Sequence, residues 1–191
     1  MIFPTSYFPP IFYLKKMVEL KNVEICSEEL FLKQTLRNRC EIATSNGIQR
    51  LSVPISKPNG SKSKTKEIVL SNVQNWRKDH WKSIESAYQN APYFHFYDKE
   101  VKGLIDCSET HLIDFNLNIL NQFVSWWELP INDFVVTDNL MNESESEIDY
   151  MTRKPIDQYI QVFKNRNSFI SNLSILDLLF CEGPMGREWL I

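Results

Sequence analysis

The sequence predicts an α+β fold, or a mixed α/β arrangement, in a single domain over residues 1–191. Short apolar and β-branched segments gather in the N-terminal half, where the Asn-Gly of TSNG separates two apolar runs. Asn-Gly between such runs is a strong hairpin signal, so we expect a hairpin near residues 40–54. Long amphipathic patterns follow. The C-terminal half should therefore be mainly helical and packed on the sheet of a strand-rich N-terminal half.

The other elements of the N-terminal half are predicted to be short. Val23–Cys26 and Glu67–Leu70 have strand-like composition, and Tyr13–Met17 is compatible with a short helix. Residues 57–66 (KPNGSKSKTK) contain four lysines and almost no apolar side chain, which is typical of a mobile surface loop.

The spacing of apolar residues then changes from that of strands to that of helices. Trp76–Tyr88 is expected to be a helix, because its apolar residues and His80 recur on one face. Phe94–Leu104 predicts a second helix, and His111–Trp127 has the clearest amphipathic pattern in the chain.

The last part of the chain is predicted to mix strands, a loop and a final helix. Phe134–Thr137 and Gln158–Phe163 are strand-like, and residues 138–149 form an acidic, polar segment typical of an exposed loop. Residues 172–184 predict a helix that is capped by Asn172 or Ser174 and ends at Gly183-Pro184.

Composition disfavours several classes of protein. A net charge of −3 and a pI near 5.7 argue against a dedicated nucleic-acid binder. No run of eighteen apolar residues predicts a membrane span, and the N-terminus lacks the features of a signal peptide. The four cysteines show no C-x-x-C spacing. We therefore expect a cytoplasmic protein with no metal and no cofactor.

The segment KQTLRNRCEI places Lys33, Arg37 and Arg39 close together in an acidic chain. Arginine binds carboxylate and phosphate through two parallel hydrogen bonds, so the cluster is a candidate site for an anionic substrate. The alternatives are solvated surface charges or ion pairs with Glu28, Glu29 or Glu41.

Two residues in apolar surroundings are further candidates. His80 lies on the apolar face of its helix, where it could act as a general base or simply be a core histidine. Asp177 lies in the apolar helix SILDLLF and needs a partner if it is buried, for which an arginine of the cluster is one option. Cys40 is more typical of a buried strand cysteine than of a nucleophile.

Several blocks occur together in a characteristic order: YFPPIFY, KQTLRNR, LSVPI after the Asn-Gly turn, spaced Trp, His and Tyr residues, and LSILDLLFCEGP. In this order they resemble the WbqC-like protein family over nearly the whole chain, from Tyr7 to Pro184. The chain lacks the opening Gln-Pro that many longer members carry. The positions that match the family's pattern include Lys33, Arg37, Asn38, Arg39, Pro54, Trp76, His80, Tyr88, Pro92 and Asp177.

The resemblance implies a bacterial protein of O-antigen-type surface polysaccharide biosynthesis, with transfer of an aminoacyl group such as glycine, or another acyl group, to a sugar. The roles that follow are expectations. Lys33, Arg37, Arg39, Tyr88 and Asp177 would bind a sugar-nucleotide-like anionic substrate. His80 would take a proton and Asn38 would donate to an oxyanion. The alternative is a non-catalytic binding or assembly protein of such a pathway.

Overall fold

The computed structural model describes residues 1–72, 75–132, 134–140 and 156–191, and within them it has five α-helices and seven short strands. The predicted α+β class is therefore confirmed. In chain order the elements are β1 (Ile2–Pro4), α1 (Ile11–Leu20), β2 (Glu24–Cys26), β3 (Arg39–Thr44), β4 (Gly47–Ser52), β5 (Ile55–Ser56), β6 (Val69–Leu70), α2 (Trp76–Tyr88), α3 (Phe94–Ile105), α4 (Leu112–Trp126), β7 (Val135–Thr137) and α5 (Ile175–Glu182).

The described strands form three small sheets instead of one. The order β1-β2-β7 makes a parallel sheet, whereas β5 pairs with β6 and β3 pairs with β4 in antiparallel ladders. The β3–β4 ladder is the predicted hairpin, with Arg39 opposite Ser52 and Thr44 opposite Gly47. Gly47 has a φ of 104°, a conformation that only glycine adopts without strain. This hairpin places the candidate arginine at one end of a rigid element.

The helices follow the predicted patterns closely. α2 begins at Trp76 and ends at Tyr88, and its buried residues are the ones expected from the spacing of its apolar positions: Trp76, His80, Ile84, Ala87 and Tyr88. α3 is one residue longer than predicted at its C-terminal end, and α4 is one residue shorter than predicted at each end. Burial of one face of each helix fixes α2, α3 and α4 against a common core.

The strands predicted at Glu67–Leu70 and Gln158–Phe163 differ from the observed structure. Only Val69–Leu70 of the strand expected at Glu67–Leu70 pairs with β5, because Glu67 belongs to a 3₁₀ turn, Thr65–Glu67. Gln158–Phe163 is not a strand within the described residues. Its alternation has another cause, since Tyr159 and Gln161 are buried against α5.

Two segments were predicted to be surface loops. The lysine-rich segment 57–66 folds into two short 3₁₀ turns, and Lys64 and Lys66 both pair with Glu28. The acidic loop expected at residues 138–149 lies mostly outside the described residues.

The final helix is shorter than expected and begins at the second of its two candidate caps. The Ser174 hydroxyl accepts a hydrogen bond from the Leu176 N–H at 3.3 Å, and Gly183, with a φ of 56°, ends α5. Asn172 caps a different helix, because its Oδ1 accepts from the Phe12 N–H of α1 at 2.9 Å. Asn172 and Ser174 therefore fix the starts of α1 and α5, respectively.

Candidate functional site

Arg37 forms an ion pair in the protein interior. Its side chain is 1% exposed, and Nε donates to Glu29 Oε1 at 2.7 Å while Nη2 donates to Glu29 Oε2. Glu29 also accepts from the Thr65 hydroxyl at 3.2 Å. The bidentate pair and the threonine hydroxyl together give the buried carboxylate three donors. Arg37 thus ties the segment before β3 to the segment after β2, as the Glu29 alternative predicted.

Arg39 has a different environment although it lies two residues further on. It begins β3 and lines a cleft of about 210 Å³. Its Nε is buried and has no hydrogen-bond partner, and no carboxylate of the described residues pairs with its guanidinium. An unpaired buried donor is costly in a folded protein. The Arg39 side chain as a whole is half-buried and lines the cleft, so its guanidinium is available to an anion that enters.

Four segments of the chain build the cleft around Arg39. They are residues 8–10, the turn at residues 34–36, the open end of the β3–β4 hairpin, and residues 172–174. Backbone hydrogen bonds lock these segments together: the Ser174 N–H donates to the Glu41 carbonyl at 2.9 Å, and the Ile175 N–H donates to the Pro9 carbonyl at 2.8 Å. The cleft is thus formed before any ligand binds.

Three residues of the cleft wall have left-handed backbone conformations: Phe8 with a φ of 39°, Gln34 with 66° and Asn172 with 55°. Such conformations cost roughly 1–3 kcal/mol for residues other than glycine and cluster at functional sites. The left-handed conformation is least favourable at Phe8, because this residue is bulky and precedes Pro9, and a residue before proline favours an extended backbone. The Ser174 hydroxyl, which donates to the Phe8 carbonyl at 2.9 Å, helps to hold it.

Glu41 and Arg50 complete the polar part of the cleft. They lie opposite each other on β3 and β4, and Arg50 Nε donates to Glu41 Oε1 at 2.7 Å. The Arg50 side chain is 67% exposed, so this pair is open to solvent and to competition by a ligand. Cys40 also lines the cleft, but burial raises the pKa of its thiol well above the usual value, which keeps it protonated and unreactive.

Lys33 belongs to a separate cavity. It lines a space of about 490 Å³ together with Lys57 and the turn at Gly60 and Ser61. The Lys57 ammonium donates to the Phe31 carbonyl at 3.0 Å, and burial followed by the charge of Lys33 lowers its pKa. Lys33 and Arg39 therefore line different cavities, although the sequence places them in one cluster.

His80 and Asn38, the residues with predicted catalytic roles, are both buried. His80 Nδ1 lies 2.9 Å from the Tyr7 hydroxyl, and burial lowers the pKa of the ring to about 4 against a hydrogen bond to the Ser52 backbone. Asn38 donates to the Val53 carbonyl at 2.9 Å, and its Oδ1 is buried without a partner. Neither is among the described residues that line the Arg39 cleft, so their roles stay predictions, and the burial of His80 argues against general-base catalysis there.

Asp177 and Tyr88 do lie together, but in the core. The fully buried Asp177 carboxylate accepts from the hydroxyl groups of Tyr88 at 2.9 Å and Tyr159 at 2.5 Å, and from the Gln161 amide at 3.0 Å. The expectation of an arginine partner for Asp177 is therefore wrong. Burial raises the pKa of this carboxyl group, and the three donors oppose that shift. The network joins α2, α5 and the segment before α5.

Sequence reasoning missed most of the residues around Arg39. Glu41 lies two residues after Arg39, and Arg50 lies on β4, across the hairpin turn. The hairpin register pairs them, and it could have been read from TSNG. Gln34 and Asn172 carry no such signal, because nothing local in the sequence brings residue 172 beside residue 34. In the part of the chain that the structure describes, no group of three metal-ligating side chains occurs, and no helix is long and apolar enough to cross a bilayer.

Comparisons with known proteins agree with the resemblance. Residues 5–148, which include Arg39 and both strands of the hairpin, match the WbqC-like protein family. A protein of Mycobacterium tuberculosis, named uncharacterized protein Rv1507c, is 26% identical over 223 residues, covering 99% of this chain and 96% of that protein. No solved structure matches. The match over most of its length shows that the chain belongs to the WbqC-like protein family.

Proposed function

We propose that this protein acts in the biosynthesis of a bacterial surface polysaccharide of O-antigen type and binds an anionic, sugar-nucleotide-like substrate at Arg39. The observation that carries the proposal is the Arg39 guanidinium, whose buried Nε has no partner in a preformed cleft. A phosphate or carboxylate oxygen in the cleft would accept charge-assisted hydrogen bonds from this guanidinium. The chain belongs to the WbqC-like protein family, and the polysaccharide context is what the resemblance to that family implies.

The size of the cleft limits what it holds. A volume of about 210 Å³ is below the roughly 300–1,000 Å³ of drug-sized pockets. It fits a phosphate or carboxylate group and part of an attached sugar, with the rest of the substrate outside. The exposed Arg50 at the rim is placed to contact a second anionic group.

The reaction we propose is transfer of an aminoacyl group, such as glycyl, or another acyl group to the sugar. The attacking hydroxyl or amine forms a bond to the acyl carbon and loses its proton, while the bond from that carbon to the donor's leaving group breaks. Glu41 is the carboxylate that lines the cleft, so it replaces His80 as the proposed proton acceptor. The four cysteines, none of them in a disulfide, fit the cytoplasmic location that the proposal includes.

The proposal is tested by binding and turnover on matched variants. Isothermal titration of UDP-N-acetylglucosamine and other nucleotide sugars should give binding that Arg39→Gln weakens about ten- to a hundredfold, because a charged hydrogen bond is lost. Arg166→Gln is the control, since Arg166 is exposed and lies outside the cleft. Binding by no nucleotide sugar or aminoacyl donor, or equal binding by both variants, contradicts the proposal.

A non-catalytic binding or assembly protein is the second candidate. It is favoured by the internal hydrogen bonds of His80 and Asn38, which occupy the two groups expected to do chemistry. The two candidates differ in Glu41→Gln. In a transferase this change lowers acyl transfer in a coupled assay while substrate still binds. In a binding protein no transfer is found with either form.

A further inference from the structure

A second pocket lies at the tip of the β3–β4 hairpin, where it meets the C-terminal half of α2. It has a volume of about 260 Å³ and shares no lining residue with the Arg39 cleft. Residues 44–46 and Gln49 of the hairpin form one side, Ser83 and Ser86 of α2 form another, and Phe163 closes it. Three separate parts of the chain therefore converge on this pocket.

The lining of this tip pocket has no charged side chain. Its polar groups are hydroxyl groups and side-chain amides, from Thr44, Ser45, Asn46, Gln49, Ser83 and Ser86. Each such group can donate or accept hydrogen bonds without attracting a net charge. The chemistry thus suits a neutral molecule with many hydroxyl groups and disfavours the anions that suit Arg39.

Internal hydrogen bonds fix the geometry of the pocket but leave much of its polar lining unused. Gln49 Nε2 donates to Ser83 Oγ at 3.1 Å, and Ser83 donates to the Asp79 carbonyl at 3.0 Å. Within the described residues, the side chains of Ser45, Asn46 and Ser86 make no hydrogen bond to protein. These groups are left for water or a ligand, beside a glutamine amide that is already oriented.

Phe163 adds an apolar surface to this polar pocket. The ring is half-buried, yet it is not among the side chains packed against the hydrophobic core. An aromatic ring normally contributes large apolar contacts, so its place beside hydroxyl groups calls for a partner with an apolar face of its own. A pyranose ring has such a face, formed by its C–H groups, together with hydroxyl groups around its edge.

We propose that the tip pocket, with Phe163 as the stacking surface and Asn46, Gln49 and Ser86 as hydrogen-bonding groups, binds a neutral pyranose sugar unit. This site is separate from the Arg39 cleft and does not depend on the function proposed there. A single sugar making a few hydrogen bonds and one ring contact binds weakly, with a Kd on the order of 1–10 mM.

The test is a titration of the full-length chain, labelled with ¹⁵N, with glucose, galactose and N-acetylglucosamine, followed by amide chemical shifts. Glucuronate and glucosamine are the charged counterparts. At least one neutral sugar should shift the amides of residues 44–49 and 83–87, with a Kd that 0.5 M NaCl leaves unchanged. Absence of such shifts for all three neutral sugars, or tighter binding of a charged one, overturns the proposal.

Variants assign the effect to the pocket. Phe163→Leu keeps apolar bulk but loses the ring, and Asn46→Ala loses an amide, so each should weaken binding about three- to tenfold. Asn90→Ala, in the exposed turn that follows α2 and outside the pocket, is the matched control. Arg39→Gln should also leave sugar binding unchanged, which separates this site from the cleft. Wild-type affinity in both pocket variants, with each confirmed as folded by its thermal melt, overturns the proposal.

Discussion

Arg37 and Arg39 are two residues apart and chemically identical, but one is closed inside the protein and the other is open to a cleft. Arg37 is 1% exposed and bidentate with Glu29. Arg39 lines the cleft with a buried Nε that has no partner. The difference arises because β3 begins at Arg39, so the chain turns between the two side chains. A cluster of cations in a sequence can therefore divide into a buried ion pair and a side chain that lines a cleft.

The largest expected effect on stability comes from breaking the buried ion pair between Arg37 and Glu29. Arg37→Gln leaves the buried Glu29 carboxylate without its cation, which should cost roughly 3–5 kcal/mol of the free energy of unfolding. Urea denaturation followed by circular dichroism measures it. The same change at the other position, Arg39→Gln, should alter stability by less than about 0.5 kcal/mol. Equal losses at both positions would show that Arg39 is structural too.

A second test uses the pH dependence of stability to establish whether the His80 ring is buried, as Arg37 is. Burial lowers the pKa of His80 to about 4 from its ordinary 6.5, so the unfolded chain takes up a proton at a higher pH than the folded chain. Stability from this group is present above pH 6.5 and is lost as the pH falls from 6.5 to 4, by about 3 kcal/mol in all.

The measurement is the free energy of unfolding between pH 4 and pH 7 for the wild type, His80→Gln and His95→Gln. His80→Gln should flatten the slope, whereas His95→Gln should not, because the His95 side chain is 80% exposed. A slope that His80→Gln leaves intact would mean that this ring is accessible and remains a candidate base.

A third test concerns the exposed ion pair between Glu41 and Arg50 in the Arg39 cleft. In the wild type, the Glu41 carboxylate competes with a ligand for Arg50 and places a negative charge in the same cleft as Arg39. Glu41→Gln removes both effects. Affinity for UDP-N-acetylglucosamine should rise about threefold at low salt, and the gain should shrink at 0.5 M NaCl. Stability should change by less than about 0.5 kcal/mol, as is usual for an exposed pair. Weaker binding of the nucleotide sugar would show that the hydrogen bond from the ligand to Glu41 outweighs the repulsion by its negative charge.

The sequence predicted the local features of this molecule better than its long-range ones. The bounds and buried face of α2 followed from the spacing of apolar residues, and the hairpin followed from Asn-Gly. Both are set by neighbours in the chain. By contrast, the alternating pattern at Tyr159 and Gln161 looked like a strand, because burial against Asp177 in an extended segment gives the same alternation without a sheet.

The candidate site shows the same limit. The arginines were visible in the sequence, and an acidic partner such as Glu29 was one of the alternatives. What decided between Arg37 and Arg39 was the start of β3 and the approach of Asn172 and Ser174 to residues 8–10, contacts across more than half of the chain. Asp177 was correctly expected to need a partner, but two tyrosines and a glutamine provide it, which no pattern of charges could indicate.

The smallest expected effect concerns Gln34, whose backbone has a φ of 66° in the wall of the cleft. Gln34→Gly relieves a left-handed conformation but raises the entropy of the unfolded chain, so stability should change by less than about 0.5 kcal/mol. Gln34→Ala keeps the strain and loses only the side-chain amide. If the amide contacts the anion, both variants should weaken binding of UDP-N-acetylglucosamine about threefold, by isothermal titration. A further loss in Gln34→Gly alone would show that the rigid turn itself holds the cleft in its binding conformation, whereas wild-type affinity in both variants would confine recognition to Arg39 and Arg50.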